Sequence, residues 1–315
     1  MSDRIVKLFD YVFVLRPTLF FPVWTVYAAG YFAAQHFSLA GKNGAAATHD
    51  GTALHVMGFL SLLMGGVFIL NQLCDVATDL RNHKLFLIAH RHISPRAAWF
   101  EMMLLSGMAV AAAFFYRVEL GGLFVAIFLL TGMLYSVSPF QWKDRPLWGL
   151  LANAAGALLI FIAGWWSVQI EWQLPIRHAL PYILAVAAVY LYTTLLDVDG
   201  DASTQKMTFG VRYGLRATAI TGCLLELGAL ISAWWLEDPV ILYPALAAAP
   251  FFCWAAIKQR LADVSRAIKF PILFLALAIC VKVWPYFFLL LLVFSFSRWY
   301  YRRRFGLKYP SLAAE

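Results

Sequence analysis

Charge is scarce in this sequence: only 13% of its 315 residues are Asp, Glu, Lys or Arg, against 62% hydrophobic. That deficit excludes a soluble domain of ordinary size, because no stretch of domain length keeps a water-facing composition. Cysteine is equally sparse. Cys74, Cys223, Cys253 and Cys280 are scattered, mostly in apolar surroundings and without CxxC spacing, which argues against a disulfide framework or a zinc site. The start, MSDRIVKLFDYVFVLRP, has an acidic residue among its bases and no small-residue cleavage signature before the first apolar run. It is read as a cytosolic end leading into a retained helix.

What fills the chain is hydrocarbon. Apolar segments of near-bilayer length are predicted at 12–34, 52–74, 97–115, 119–137, 147–166, 179–197, 216–235, 239–257 and 268–300. Lipid tolerates only a backbone that satisfies its own hydrogen bonds, and these runs are too long and too uniformly apolar for barrel strands. The expected fold is therefore all-α, a polytopic transmembrane helical bundle forming a single domain over residues 1–315. The last run is too long for one perpendicular crossing, and VKVWPY at 281–286 puts Lys282 and Pro285 at a turn between two short crossings. Nine or ten spans fit. Pro181 and Pro271 are expected early in their helices, where a missing amide donor costs little.

The bases set the orientation. With the N-terminus in the cytosol, the even connections hold Arg81, Lys84, Arg91 and Arg96; Lys143 and Arg145; Lys206, Arg212 and Arg216; and Lys258, Arg260, Arg266 and Lys269. The odd connections hold only Lys42, Arg117 and Arg177, apart from Lys282 in the final stretch. That asymmetry predicts an N-in topology, and the basic SRWYYRRRFGLKYP favours a tenth crossing that brings the C-terminus back inside. The net charge of +8 is then explained by inside-facing loops and anionic lipid, with no nucleic-acid partner.

Against this background the polar residues that end two spans stand out. Asn71, Asp75 and Asp79, in NQLCDVATDL, are spaced four and four, one face of a helix. Asp197 and Asp201, in LLDVDGDAST, repeat the spacing at the end of the sixth span, on the same membrane side. Carboxylates so close to hydrocarbon need protonation, a basic partner or a divalent cation. An oxygen-seeking cation such as Mg²⁺, which joins a few carboxylates to substrate phosphates, answers both clusters. Arg81, Lys84, Lys143, Arg145, Lys206 and Arg212 return to this face, where they can grip phosphate oxygens; positive-inside bias explains the same bases without a ligand. A third connection, MLYSVSPFQWKDRP, adds Tyr135, Ser136 and Lys143.

These residues carry a resemblance to the UbiA superfamily of intramembrane prenyltransferases. Asn71, Asp75 and Asp79 resemble its first acidic motif, NDxxDxxxD, and Asp197 with Asp201 resembles its second, DxxxD. Arg16 and Pro17 are similar to the Arg-Pro of its first helix. Asn82, Ile93 and Ser94 match the loop after the first motif; Tyr135, Ser136, Pro139 and Lys143 match a YSxxPxxxK segment; Gly200, Asp201, Thr208, Gly210 and Gly214 match the pattern after the second. The resemblance implies a UbiA-like fold of nine core helices, with room for an extra C-terminal crossing, around a cavity open to lipid. It implies an Mg²⁺-dependent enzyme, placed here in a bacterial or archaeal plasma membrane, that moves a prenyl group from an isoprenyl diphosphate to a lipophilic acceptor. On this resemblance Asn71, Asp75, Asp79, Asp197 and Asp201 are the expected metal ligands. Asp75, Asp79, Asp197, Asp201 and Lys143 are the expected catalytic residues, and Asn71, Arg16, Arg81, Tyr135, Lys206 and Arg212 the expected substrate contacts.

The sequence also departs from the pattern. Gln72 occupies the place of the motif's second residue, an aspartate, and the loop after Asp79 reads LRNHKLFLIAHRHIS, with Phe86 where relatives carry an arginine. His83, His90 and His92 in that loop are read as interfacial rather than catalytic, and Asp199 faces away from its neighbours on an ideal helix. By charge placement alone, a cation- or proton-coupled transporter using the same four aspartates is the competing reading.

Overall fold

A computed structural model of the chain describes residues 3–37, 51–81 and 87–310; Lys42, Asn82, His83, Lys84 and Phe86, discussed above, lie outside them. Two short helices, α1 (Asp3–Leu8) and α2 (Asp10–Phe13), lead through a tight turn at Pro17–Leu19 into α3 (Phe20–Phe37). Then follow α4 (Thr52–Cys74), α5 (Val76–Arg81), α6 (Pro95–Tyr116) and α7 (Val118–Ile127), which widens into a π-helical stretch at Phe128–Leu134. The rest is α8 (Pro146–Trp166), α9 (Gln173–Leu196), α10 (Val198–Ser203), α11 (Phe209–Trp235), α12 (Pro239–Lys258), α13 (Leu261–Lys282) and α14 (Trp284–Phe305). No strand occurs among the described residues, as expected of an all-α bundle.

Eight segments of the described chain are long and apolar enough to cross a bilayer, the first running from Val6 to Phe37, with Val118–Leu134 a shorter apolar stretch. Their outward faces carry side chains that water would not tolerate in such number: Phe115 is 91% exposed and Val281 86%. The chain is a multi-pass integral membrane protein. The break forecast at 281–286 is present, with α13 ending at Lys282 and Pro285 in the first turn of α14. α14 then runs back to the N-terminal segment. Tyr300 donates to Asp10 Oδ1 at 2.6 Å, and Arg304 reaches both Asp10 oxygens at 3.1 Å, so the basic C-terminal end lies at the same end of the bundle as α2.

Two expectations need correction. Pro181 and Pro271 lie inside α9 and α13 rather than near their starts, because both helices begin several residues before the hydropathic run, at Gln173 and Leu261. The first span is not continuous either. Arg16 adopts a left-handed conformation, φ 54° and ψ 63°, and bends the chain between α2 and α3.

Some termini are fixed by ordinary capping. Ser94 accepts from the Ala97 amide at 3.2 Å and Pro95 occupies the first turn of α6. Asp238 does the same for α12 through Val240, 3.0 Å, while receiving the Tyr182 hydroxyl at 2.8 Å. The central contacts pair α3 with α8, α4 with α6, and α9 with α11. α3 and α8 approach to backbone contact: a Cβ at Gly30 would strike the Phe161 carbonyl, and one at Gly164 the Tyr27 carbonyl.

Candidate active site

Both acidic motifs sit on the same local device. α4 stops at Asp75, whose φ of −102° and ψ of 8° lie outside the helical range, and six residues of α5 follow. α9 stops at Asp197, φ −112° and ψ 7°, and six residues of α10 follow. The i to i+4 hydrogen bonds cross each break, from the Asp79 amide to the Asp75 carbonyl and from the Asp201 amide to the Asp197 carbonyl, both 2.9 Å. The first motif is thus bent at Asp75 and the second at Asp197, and both carboxylates of each line one cavity. The C-terminal ends of the two short helices are tied by Arg81, whose guanidinium donates to the Ser203 carbonyl.

The two motifs face one cavity of about 240 Å³. Asn71, Asp75, Asp79, Asp197 and Asp201 line it together with Arg16, Tyr135, Lys143 and Lys206. Nine of the residues expected at the site are therefore brought together. Two are not: Arg81 and Arg212 are exposed and outside the cavity lining. His90 and His92 are exposed as well, and His92 Nδ1 lies 3.4 Å from Arg304. Asp199 is exposed, as its spacing predicts.

Asp75 is the electrostatic centre. Lys143 Nζ stands 2.7 Å from its Oδ2 and Lys206 Nζ 2.6 Å from its Oδ1, with side-chain exposures of 7% and 14% for the lysines. Burial acts to raise the Asp75 carboxyl, but the two ammonium charges outweigh it and hold it below the usual carboxylate range. Lys206 responds in kind: burial alone would lower it, and Asp75, Asp144 and Asp201 together push it up. Asp144, 3.6 Å from Lys206, is driven the other way, raised by burial that the lysines offset only in part.

Around this core, Thr208 donates to Asp201 Oδ2 at 3.2 Å, Asn71 Nδ2 to Ser136 at 3.2 Å, and the Met207 amide to the Asp144 carbonyl at 3.1 Å. Gln72 points elsewhere. Buried at 2% exposure, it donates from Nε2 to the Val14 carbonyl at 2.8 Å and to the Phe68 carbonyl at 3.0 Å, and does not line the cavity. An aspartate there could accept but not donate.

Sequence reasoning missed Asp144 and the hydroxyl face of α9. Asp144 adjoins Lys143 in WKDRP and was hidden by its neighbour's charge. Tyr190, Thr193 and Thr194 also line the cavity; with Asp197 they fall at helical intervals of three, four and seven, a signal that was available.

A second cavity, about 320 Å³, shares Arg16, Asn71 and Tyr135 with the first and is otherwise lined largely by apolar groups such as Val23, Val26, Met64, Val67, Ala157 and Ile160. Polar and apolar compartments thus meet at three residues. The donor set of the first suits a hard cation, since Asn and Asp offer only oxygen. Among the described residues, however, no group of three or more His, Cys, Asp or Glu could hold a metal unaided. A cation there needs further ligands, which the oxygens of a phosphate group supply.

Comparison with known proteins agrees with this geometry. The model of the UbiA prenyltransferase family matches residues 22–277. The chain is 28% identical over 190 residues to a probable homogentisate phytyltransferase 2 of Oryza sativa subsp. japonica, covering 56% of this chain and 49% of that one. It is 28% identical over 189 residues to a homogentisate solanesyltransferase of Arabidopsis thaliana, covering 56% and 48%. The chain thus spans about half the length of the curated relatives it matches. Among solved structures, a UbiA homologue from Archaeoglobus fulgidus bound to GPP and Mg²⁺ superposes with a TM-score of 0.67 at 19% identity, over 86% of this chain and 99% of that one.

Proposed function

The chain belongs to the UbiA prenyltransferase family, and from that premise we propose that it transfers a prenyl group from an isoprenyl diphosphate to a lipophilic acceptor, releasing diphosphate, as one single-domain unit. The observation that carries the reading is the junction of the two cavities: a charged chamber able to take a polyanion opens through Arg16, Asn71 and Tyr135 into an apolar one able to take its hydrocarbon tail. A transporter needs no such pairing. The A. fulgidus homologue holds GPP and Mg²⁺, and the plant relatives are named for prenyl transfer to homogentisate.

Asn71, Asp75, Asp79, Asp197 and Asp201 would hold Mg²⁺, which supplies positive charge to the diphosphate oxygens as the carbon–oxygen bond breaks. Lys143 and Lys206 are held in place by Asp75. A diphosphate entering the chamber offers their ammonium groups anionic oxygens and stabilises itself as a leaving group against them. Arg16, on its left-handed turn at the mouth shared by both cavities, orients the head of the donor relative to its tail. Tyr135 and Asn153, whose amide lies 3.5 Å from the Tyr135 hydroxyl, line the boundary where the allylic carbon would sit. The apolar walls exclude water from that carbon, which favours capture by the acceptor over hydrolysis. Arg212 and Arg81 contribute through charge at the rim and through the α5–α10 tie.

The site faces the cytosol in this reading, because the basic connections cluster at its end of the bundle and few bases lie at the other. The test is to supply reconstituted protein with an allylic diphosphate and a panel of phenolic, quinone-precursor and other lipophilic acceptors, measuring diphosphate and prenylated product with and without Mg²⁺. Product that appears only when Mg²⁺ and an acceptor are both present supports the reading. Ion or solute flux across the vesicle without any product would replace it with transport.

A further inference from the structure

The apolar cavity is lined by half-buried residues at one end and by buried ones at the other. Leu19, Pro22 and Phe68, near the charged chamber, are half-buried, whereas Val26, Met64 and Ile160 at the far end are at most 7% exposed. Just beyond them α3 and α8 are in backbone contact, Gly30 against Phe161 and Gly164 against Tyr27. That contact leaves no passage deeper between these two helices.

The depth follows from helix geometry. Asn71 at the junction and Met64 at the floor are seven residues apart on α4, as are Asn153 and Ile160 on α8, so the cavity reaches about 10 Å below the junction at about 1.5 Å per residue. An extended isoprene unit advances about 5 Å, four carbon–carbon bonds of about 1.5 Å each in zigzag.

We propose that this site selects an allylic diphosphate of two isoprene units, with Val26, Met64 and Ile160 as the floor that sets the length. The proposal rests on the reading of the site as a prenyl diphosphate site and goes beyond it by fixing the donor. The first two units lie against Val26, Met64, Ala157 and Ile160, each at most 7% exposed. A third cannot pass between α3 and α8 and leaves toward lipid past Leu19, Pro22 and Phe68, where it gains little over the bilayer it came from.

The experiment is calorimetric titration of the full chain in lipid nanodiscs, with Mg²⁺, using inorganic diphosphate and allylic diphosphates of one to four isoprene units. Affinity is expected to rise about 100-fold from one unit to two, as five more carbons are buried, and by less than about threefold for the third and fourth. Met64→Ala deepens the floor and should shift the three-unit to two-unit affinity ratio about tenfold toward the longer donor. Ala157→Leu fills it and should shift preference toward one unit. Ratios measured within one variant do not depend on the fraction that folds, and opposite shifts in the two variants do not arise from misfolding. Affinity that keeps climbing through the third and fourth units, or ratios that neither variant moves, would remove the length limit and leave the prenyl diphosphate reading standing. Allylic diphosphates that bind no tighter than inorganic diphosphate would overturn both.

Discussion

Gln72 stands one position from Asn71, and on a helix one step turns a side chain by about 100°. Asn71 enters the cavity; Gln72 enters the packing beneath the N-terminal turn, where it donates to the Val14 carbonyl two residues before the left-handed Arg16. Its departure from the family motif is therefore a matter of hydrogen-bond donation to the backbone. Gln72→Glu keeps the shape and replaces the donor with an acceptor facing two carbonyls, so it should lower unfolding free energy by about 1–3 kcal/mol, seen as a drop in Tm. Unchanged stability would mean that the Val14 contact is not what the residue supplies. Asp75, Asp79, Asp197 and Asp201 were legible from spacing, because a carboxylate beside hydrocarbon demands a reason. The double pairing of Asp75 with Lys143 and Lys206 was not, since those lysines come from connections whose approach depends on how α8 and α11 pack.

At the scale of elements, the spacing of four in each motif suggested continuous helix, and the structure puts a bend at Asp75 in the first and at Asp197 in the second. No residue type at Asp75 or Asp197 announces it. The prolines misled in the other direction: hydropathy starts α9 and α13 late because their first turns are too polar to register, which moved Pro181 and Pro271 toward the ends. Charge suggested a return crossing at the C-terminus; the structure shows α14 fastened to the N-terminal segment, with Asp10, 3% exposed, accepting from both Tyr300 and Arg304. Asp10→Ala leaves Arg304 without its carboxylate at a largely buried position and should cost about 3 kcal/mol. α14 would then be loosened first, with faster amide exchange over its last turns. Uniform destabilisation without that local signature would show that the clasp does not hold the helix.

For the whole molecule, composition was enough to give a multi-pass helical bundle, and the motifs were enough to place two acidic clusters on one membrane face. Neither gave the cavities. A void is what packing leaves unfilled, and its shape depends on helix approach, as at Gly30 and Gly164, which hydropathy does not encode. The joined chambers connect the fold to the proposed chemistry: ionic contacts for a diphosphate at one end and an apolar chamber for its tail, with both motifs needed at once. That claim is tested most directly by the rate of diphosphate release from an allylic diphosphate in Asp75→Ala and Asp197→Ala, one from each motif, assayed with Mg²⁺ and acceptor beside the unaltered protein. Losses of about 100-fold or more in both variants, the scale of removing a group that stabilises developing charge, are the predicted result; turnover that survives either substitution would contradict a single site built from the two motifs.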